Sequence, residues 1–274
     1  MQTRNYLSLA YLTVDGAAPV EHIEAASAGS FDAAGLRIVP PSHLAIDYGV
    51  VGNPTAIRDI KRACERTGVG VLDIEVFTLN ADTDVGRFMP ALETSAEIGA
   101  SFVQAVSEDP DQQRAADRFA SLCEAAASFA LRVALEFMWF RQLQTIEAAA
   151  ALVNAAGRAN AGVLVDALHL SRSGGSPAAV AALPPKLIAY MQLCDGPAKA
   201  PRREDLAREA RNERLPPGEG ALWLDELFDA LPDNVPISVE VPRRVDVGRS
   251  AKERAVLAGD AARAYLAKYR ARRT

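Results

Sequence analysis

Short apolar runs alternate along this chain with longer segments whose apolar residues recur every three to four positions, which predicts buried strands covered by amphipathic helices. Residues 6–12 read as a first strand and 20–28 as a first helix. Residues 35–39 form the second strand, closed by Pro40-Pro41. Asn53-Pro54-Thr55 opens a helix with a capping residue and a first-turn proline, and Gly68 stops it. Further strands are expected at 69–76, 101–106, 132–136, 162–166, 188–192 and 236–240. Helices are expected at 86–98, 111–130, 145–156, 177–183, 222–231 and 250–269, while 195–220 reads as a long charged loop. Eight strand–helix alternations with no breaking linker predict one (β/α)8 TIM barrel domain over residues 1–274. An open dinucleotide-binding sheet competes with this reading. No glycine fingerprint follows the first strand, however, and no Walker-type phosphate loop occurs.

Four of the expected strands end in an oxygen-bearing side chain: Glu136, Asp166, Gln192 and Glu240. Side chains alternate along a strand, so these residues share a face with Ala134, Leu164, Tyr190 and Ser238. The opposite face carries Val133, Leu135, Val163, Val165, Ala189, Met191, Ile237 and Val239, all apolar. That face packs under the helices, and the four oxygen donors then point inward at the C-terminal rim of consecutive strands. Three carboxylates crowded there repel one another unless a cation neutralises them. Hard oxygen ligands with positions left open for substrate suit one divalent cation, Mn²⁺ or Mg²⁺, better than a closed structural zinc. Any one of these acids alone would read as a helix cap or an arginine partner; four in register favour the metal.

Charge and composition narrow the class. The chain is 49% hydrophobic, with 35 acidic and 30 basic residues and a net charge of −5, which disfavours a non-specific nucleic-acid binder. The basic end, Lys268 to Arg273, reads as the positive last turn of a helix. Three scattered cysteines, Cys64, Cys123 and Cys194, without a C-x-x-C pair argue for reduced thiols in a cytoplasmic protein. No signal peptide and no membrane span are expected.

Leu135-Glu136-Phe137, Val165-Asp166-Ala167-Leu168-His169, Met191-Gln192-Leu193-Cys194-Asp195-Gly196-Pro197, Pro217-Gly218-Glu219-Gly220 and Val239-Glu240-Val241 together resemble the xylose isomerase-like barrel superfamily, in order and in spacing. Gln192 in place of the commoner histidine is similar to the hydroxypyruvate isomerase and bacterial 3-dehydroshikimate dehydratase branches. The endonuclease branch is disfavoured, because His22, His43 and His169 cannot supply its histidine-rich trinuclear zinc site. The resemblance implies Glu136, Asp166, Gln192 and Glu240 as ligands of one divalent cation, with Glu136 and Glu240 also trading a substrate proton. It places His169 at a substrate contact, against the plainer reading of a loop histidine bonded to backbone.

Arg214, just before Pro216-Pro217-Gly218-Glu219-Gly220, is placed to reach over the site toward an anionic group, though Arg202, Arg203, Arg208 and Arg211 make a solvated helix face an equal reading. Glu219 reads as mouth lining or turn support, and Trp139 and Phe77 as substrate stacking or rim packing. Glu75 is an added substrate contact from strand three, and Arg243 a further anion contact. The end of strand four, Gln104 to Ser107, shows no histidine or cysteine motif.

The resulting expectation is a metal-dependent isomerase or epimerase of a small polyhydroxylated keto compound, working through an enediolate. A 3-dehydroshikimate dehydratase-like lyase is the alternative, and a non-catalytic ligand-binding barrel the competitor from another class. The partner expected is that small molecule rather than nucleic acid or a membrane, with a homodimer or homotetramer left open.

Overall fold

Strands that are apolar on both faces need helices outside and side chains inside, and a closed barrel supplies both. The structure, a computed structural model, describes residues 6–39 and 47–273. Strands β1 (Leu7–Leu9), β2 (Ala33–Arg37), β3 (Gly70–Leu79), β4 (Ala100–Ser107), β5 (Arg132–Glu136), β6 (Ala161–Asp166), β7 (Ile188–Leu193) and β8 (Ile237–Val239) pair in parallel in chain order, and β8 returns to β1. Around them lie α1 (Pro19–Ala28), α2 (Pro54–Thr67), α3 (Met89–Glu97), α4 (Gln112–Ala127), α5 (Ile146–Ala156), α6 (Ala167–Arg172), α7 (Pro177–Ala181), α8 (Leu206–Asn212), α9 (Leu224–Ala230) and α10 (Ala251–Arg273). The expected (β/α)8 barrel is the observed fold. Among the described residues no helix is long and apolar enough to cross a membrane. The Pro40-Pro41 break expected after β2 lies outside the described residues, as does His43.

Local chemistry accounts for many of the boundaries. The Asn53 side chain accepts the N–H groups of Thr55 and Ala56 at the start of α2, and Gly68 ends that helix at φ +74°, a conformation costly for any residue with a Cβ. The first strand is shorter than the expected 6–12, because Tyr11–Val14 forms a 3₁₀ turn. Thr13 ties that turn to the barrel: its hydroxyl donates to the Val239 carbonyl at 2.9 Å and accepts the Val241 N–H at 2.9 Å.

The strands that carry the site alternate as expected. Val133, Leu135, Val163, Val165, Met191, Ile237 and Val239 join the large apolar layer between barrel and helices. Ala134, Leu164 and Tyr190 join Ala33, Leu72 and Phe102 in a separate small cluster inside the barrel. There the Tyr190 and Phe102 rings meet edge to face, 5.2 Å apart, and help to plug the barrel beneath the rim. Ala189 departs from the expectation. The pairing steps from Val163–Ile188 to Leu164–Tyr190, and the skipped Ala189 turns to the inner cluster.

Two helices were not expected. Helix α6 begins directly at the end of β6, because Asp166 caps it by accepting the His169 N–H at 2.8 Å. Helix α8 lies within the segment read as a charged loop: Leu206 and Ala210 are buried, and buried Glu209 pairs with Arg172 at 2.7 Å. Beyond it, buried Asp195 accepts the backbone N–H groups of Gly196, Gly218, Gly220 and Leu222 at 2.8–3.0 Å, which fastens the Pro-Gly-Glu-Gly turn to the rim.

Candidate metal and proton-transfer site

The C-terminal ends of the last four strands converge. Glu136 closes β5, Asp166 closes β6, Gln192 lies in β7, and Glu240 follows β8 with its N–H donated to the Leu193 carbonyl. All four are at most 5% exposed. Ligating atoms of Glu136, Asp166 and His169 lie within 4.8 Å of one another. His169 comes one helical turn after Asp166, so the short cap at the strand end delivers both side chains to the same place.

The polar partners are specific. Gln104, from β4, donates to Glu136 Oε2 at 2.7 Å, and His169 Nε2 sits 3.7 Å from Glu136 Oε1. Gln192 donates to Glu240 Oε1 at 3.2 Å. Arg214 bridges two of the acids, with Nη1 2.5 Å from Asp166 Oδ2 and Nη2 2.7 Å from Glu240 Oε2. Its Nε donates to the Ala210 carbonyl at 2.7 Å, and Nη1 also meets Cys194 Sγ at 3.3 Å. The sequence left Arg214 equally between reaching over the mouth and lying on a solvated helix face; the structure does neither and buries it between Asp166 and Glu240, with most of its donors already engaged.

This environment separates the ionisable groups. Burial, then the charges of Glu240 and Asp166, raise Glu136 well above the ordinary carboxylate range. Burial also raises Glu240, to about 7, against the opposing pull of Arg214. Burial acts the same way on Asp166, but Arg214 and His169 outweigh it and hold this acid below its usual range. Burial pushes His169 down to about 4, so its imidazole is neutral near pH 7.

Above these groups opens a cavity of about 450 Å³, a size suited to a small ligand. Glu75, Glu136, His169, Arg214 and Glu240 reach it. Glu75 is paired with Arg37 at 3.2 Å. Trp139 and Glu219 are not brought to the cavity. Trp139 carries the Arg203 guanidinium 5.5 Å from its ring centre, and Glu219 is exposed on its turn. Phe77 is buried against Phe88 rather than facing a ligand, and Arg243 pairs with Asp246 at 3.5 Å. His22 lies apart, its Nε2 3.0 Å from the Leu9 carbonyl.

Sequence reasoning missed Gln104, Arg37 and Arg211 as cavity residues. The first two carry a signal in hindsight, a polar residue within or ending an apolar strand. Arg211 gave none, being one arginine among several.

The donor set suits a hard divalent cation. Carboxylate oxygens and one imidazole crowd together, and buried Gln192 Oε1 is an acceptor with no hydrogen-bond partner. Glu136, Asp166, Gln192 and Glu240 are the residues that would hold it, with His169 beside them.

Known proteins resemble this chain. A 3-dehydroshikimate dehydratase of Pseudomonas aeruginosa is 30% identical over 230 residues, covering 79% of this chain but 34% of the relative. This chain therefore spans about a third of the length of the dehydratases it matches. An inosose isomerase of Bacillus velezensis is 26% identical over 200 residues, 68% of this chain and 69% of that protein. Among solved structures, the zinc-bound IOLI protein superposes with a TM-score of 0.81 at 19% identity, covering 96% of this chain and 99% of its own. The xylose isomerase-like TIM barrel model matches residues 23–267, and with that match across the closed barrel and its rim of acids, the chain belongs to the xylose isomerase-like TIM barrel family.

Proposed function

We propose that this chain is a divalent-metal-dependent isomerase or epimerase that moves a proton between carbons of a small polyhydroxylated keto compound. The observation that carries the reading is the buried cluster of Glu136, Asp166 and His169 at adjacent strand ends, with Glu240 across the same cavity. The zinc in the IOLI neighbour supports a divalent ion. A cation held here supplies Lewis-acid stabilisation of the charge that builds on the substrate oxygens.

The protein's own groups do the rest. Glu136 and Glu240 take a proton from the carbon beside the carbonyl and return one, either to the neighbouring carbon or to the opposite face. Burial raises both above ordinary carboxylates, which makes each, once ionised, a stronger base than a free carboxylate. His169, neutral and rigidly placed by the Asp166 cap, hydrogen-bonds a substrate hydroxyl. Arg214 pairs with both Asp166 and Glu240, offsetting part of their charge and bracing the two side chains.

Dehydration is the second reading, supported by the Pseudomonas relatives named 3-dehydroshikimate dehydratase. It shares the first step; the abstracted proton then passes to the departing β-hydroxyl, which leaves as water, instead of returning to carbon. A binding barrel without turnover would have no use for the pair of buried bases. We place the protein in the cytoplasm, where its three free thiols stay reduced.

Two tests address the metal directly. Asp166→Ala should lose the bound ion, read as metal stoichiometry by elemental analysis of purified protein; unchanged stoichiometry would remove Asp166 from the ligand set. Metal uptake should also depend on pH. Glu240 titrates near 7 in the fold against about 4.5 unfolded, so below about 7 protons compete with the ion for it. Mn²⁺ affinity by calorimetry should therefore rise with pH through about 7. In the metal-free fold the cost of ionising Glu240 grows over the same rise, from about 4.5 to about 7, so apo stability should fall there. Affinity that is flat across this range would contradict the assignment.

A further inference from the structure

Three more guanidinium groups line the cavity, those of Arg37, Arg141 and Arg211. Two have local counter-charges: Arg37 pairs with Glu75 at 3.2 Å, and Arg141 with Glu108 at 2.5 Å. Asp15, another acid at this rim, is taken by Arg254 at 2.6 Å. Among the described residues no carboxylate lies within ion-pair distance of Arg211. Its guanidinium instead lies 5.6 Å from the centre of the Phe140 ring, and that ring meets His169 edge-on at 5.6 Å. Arg211 is thereby linked through Phe140 to the site, beside the neutral imidazole.

Two features suit this rim to an anionic ligand. Arg37 Nε and Arg141 Nε are buried N–H donors without a partner, an arrangement that costs free energy until an acceptor arrives. The three cations also oppose one another: partial burial lowers the Arg211 pKa, and the charges of Arg141 and Arg37 lower it further. With Glu75 and Glu108 balancing two of the three, one positive charge remains at the mouth. That excess matches a monoanion better than a dianion such as a phosphate ester.

We propose that Arg211, backed by Arg37 and Arg141, receives a single carboxylate on the substrate, so that the barrel takes a hydroxylated keto acid rather than a neutral keto sugar or inosose. This rests on reading the buried acids as the reacting end of the same cavity. The carboxylate docks at the arginine rim while the carbonyl and its neighbouring hydroxyl face Glu136 and Glu240. Arginine suits the task because its planar fork matches a carboxylate. Arg214 cannot take this role, since Asp166 and Glu240 already hold it.

Calorimetry on the Mg²⁺-loaded protein tests this with 3-dehydroshikimate, its uncharged methyl ester, hydroxypyruvate, an inosose and a pentulose 5-phosphate as probes. At least one of the two keto acids should bind, and 3-dehydroshikimate about 10- to 100-fold more tightly than its ester, the range for a charge-assisted hydrogen bond. Arg211→Gln should bring the acid down to the affinity of the ester while leaving the ester unchanged, and Arg211→Lys should retain part of the preference. Equal binding of acid and ester, equal losses for both in Arg211→Gln, no binding of either keto acid, or tighter binding of the phosphate would each overturn the proposal. The two readings fail separately. Metal-dependent proton exchange on a neutral inosose alone would sink the carboxylate receptor and keep the reaction. Arg211-dependent binding of an acid without any exchange would do the reverse.

Discussion

Glu240→Gln is expected to lower turnover by about 10²- to 10⁴-fold while the barrel stays folded. Glutamine keeps the size of the side chain, and the Gln192 amide and the Arg214 guanidinium can still meet it. What disappears is the basic oxygen whose pKa burial has raised to about 7. Arg214 keeps its 2.5 Å contact with Asp166, so no buried cation is orphaned and thermal melting should move little. The turnover number and a melting curve of the same preparation check both halves of the expectation. Wild-type turnover would take Glu240 out of the proton path.

Arg214→Ala should be the most damaging single change to stability, at about 3–5 kcal/mol in the metal-free protein. The arginine is among the largest fully buried side chains and bridges Asp166 and Glu240. Removing it leaves two buried carboxylates facing each other and Glu136, with a void where the guanidinium lay. Chemical denaturation measures the loss. Saturating Mg²⁺ should recover part of it, because a second cation then neutralises the same acids and binds only the folded state. A loss below about 1 kcal/mol would show that the acids are compensated elsewhere.

The barrel was legible because its strands are apolar runs of five to ten residues in most cases, each followed by a helix with readable ends, such as the Asn53 cap and the Gly68 stop of α2. The rim acids were legible for a related reason. A charge that ends an apolar strand is costly unless it has a purpose, so Glu136, Asp166 and Glu240 stood out. Helix α6 stayed hidden because Asp166 does two things at once, ending a strand and capping the helix that carries His169. Helix α8 stayed hidden because charge dominates its composition, and only Leu206 and Ala210, with the Arg172–Glu209 pair, show its buried side.

The arginines illustrate what one-dimensional reasoning lacks. Arg211 and Arg214 are three residues apart in a run rich in charge. Position in the chain left Arg214 equally as a group held out to a ligand or as part of a solvated helix face. In the structure Arg214 turns inward to two carboxylates, while Arg211 stacks on Phe140 at the cavity. That difference depends on Pro242, which accepts the Arg214 N–H at 3.2 Å, and on Phe140, residues distant in sequence that no local pattern connects to the arginines.

The central claim is that the acids at the strand ends move a substrate proton with the help of a divalent ion. Proton NMR in D₂O with Mg²⁺, across ketoses, inososes, hydroxypyruvate and 3-dehydroshikimate, tests it most directly. The account predicts deuterium entering beside a carbonyl, with an isomer of the substrate as product, and loss of that exchange on chelation and in Glu240→Gln. A new alkene or aromatic signal with loss of water would keep the proton abstraction and establish the dehydratase. Exchange that persists without metal, or no exchange with any member of the panel, would contradict the account.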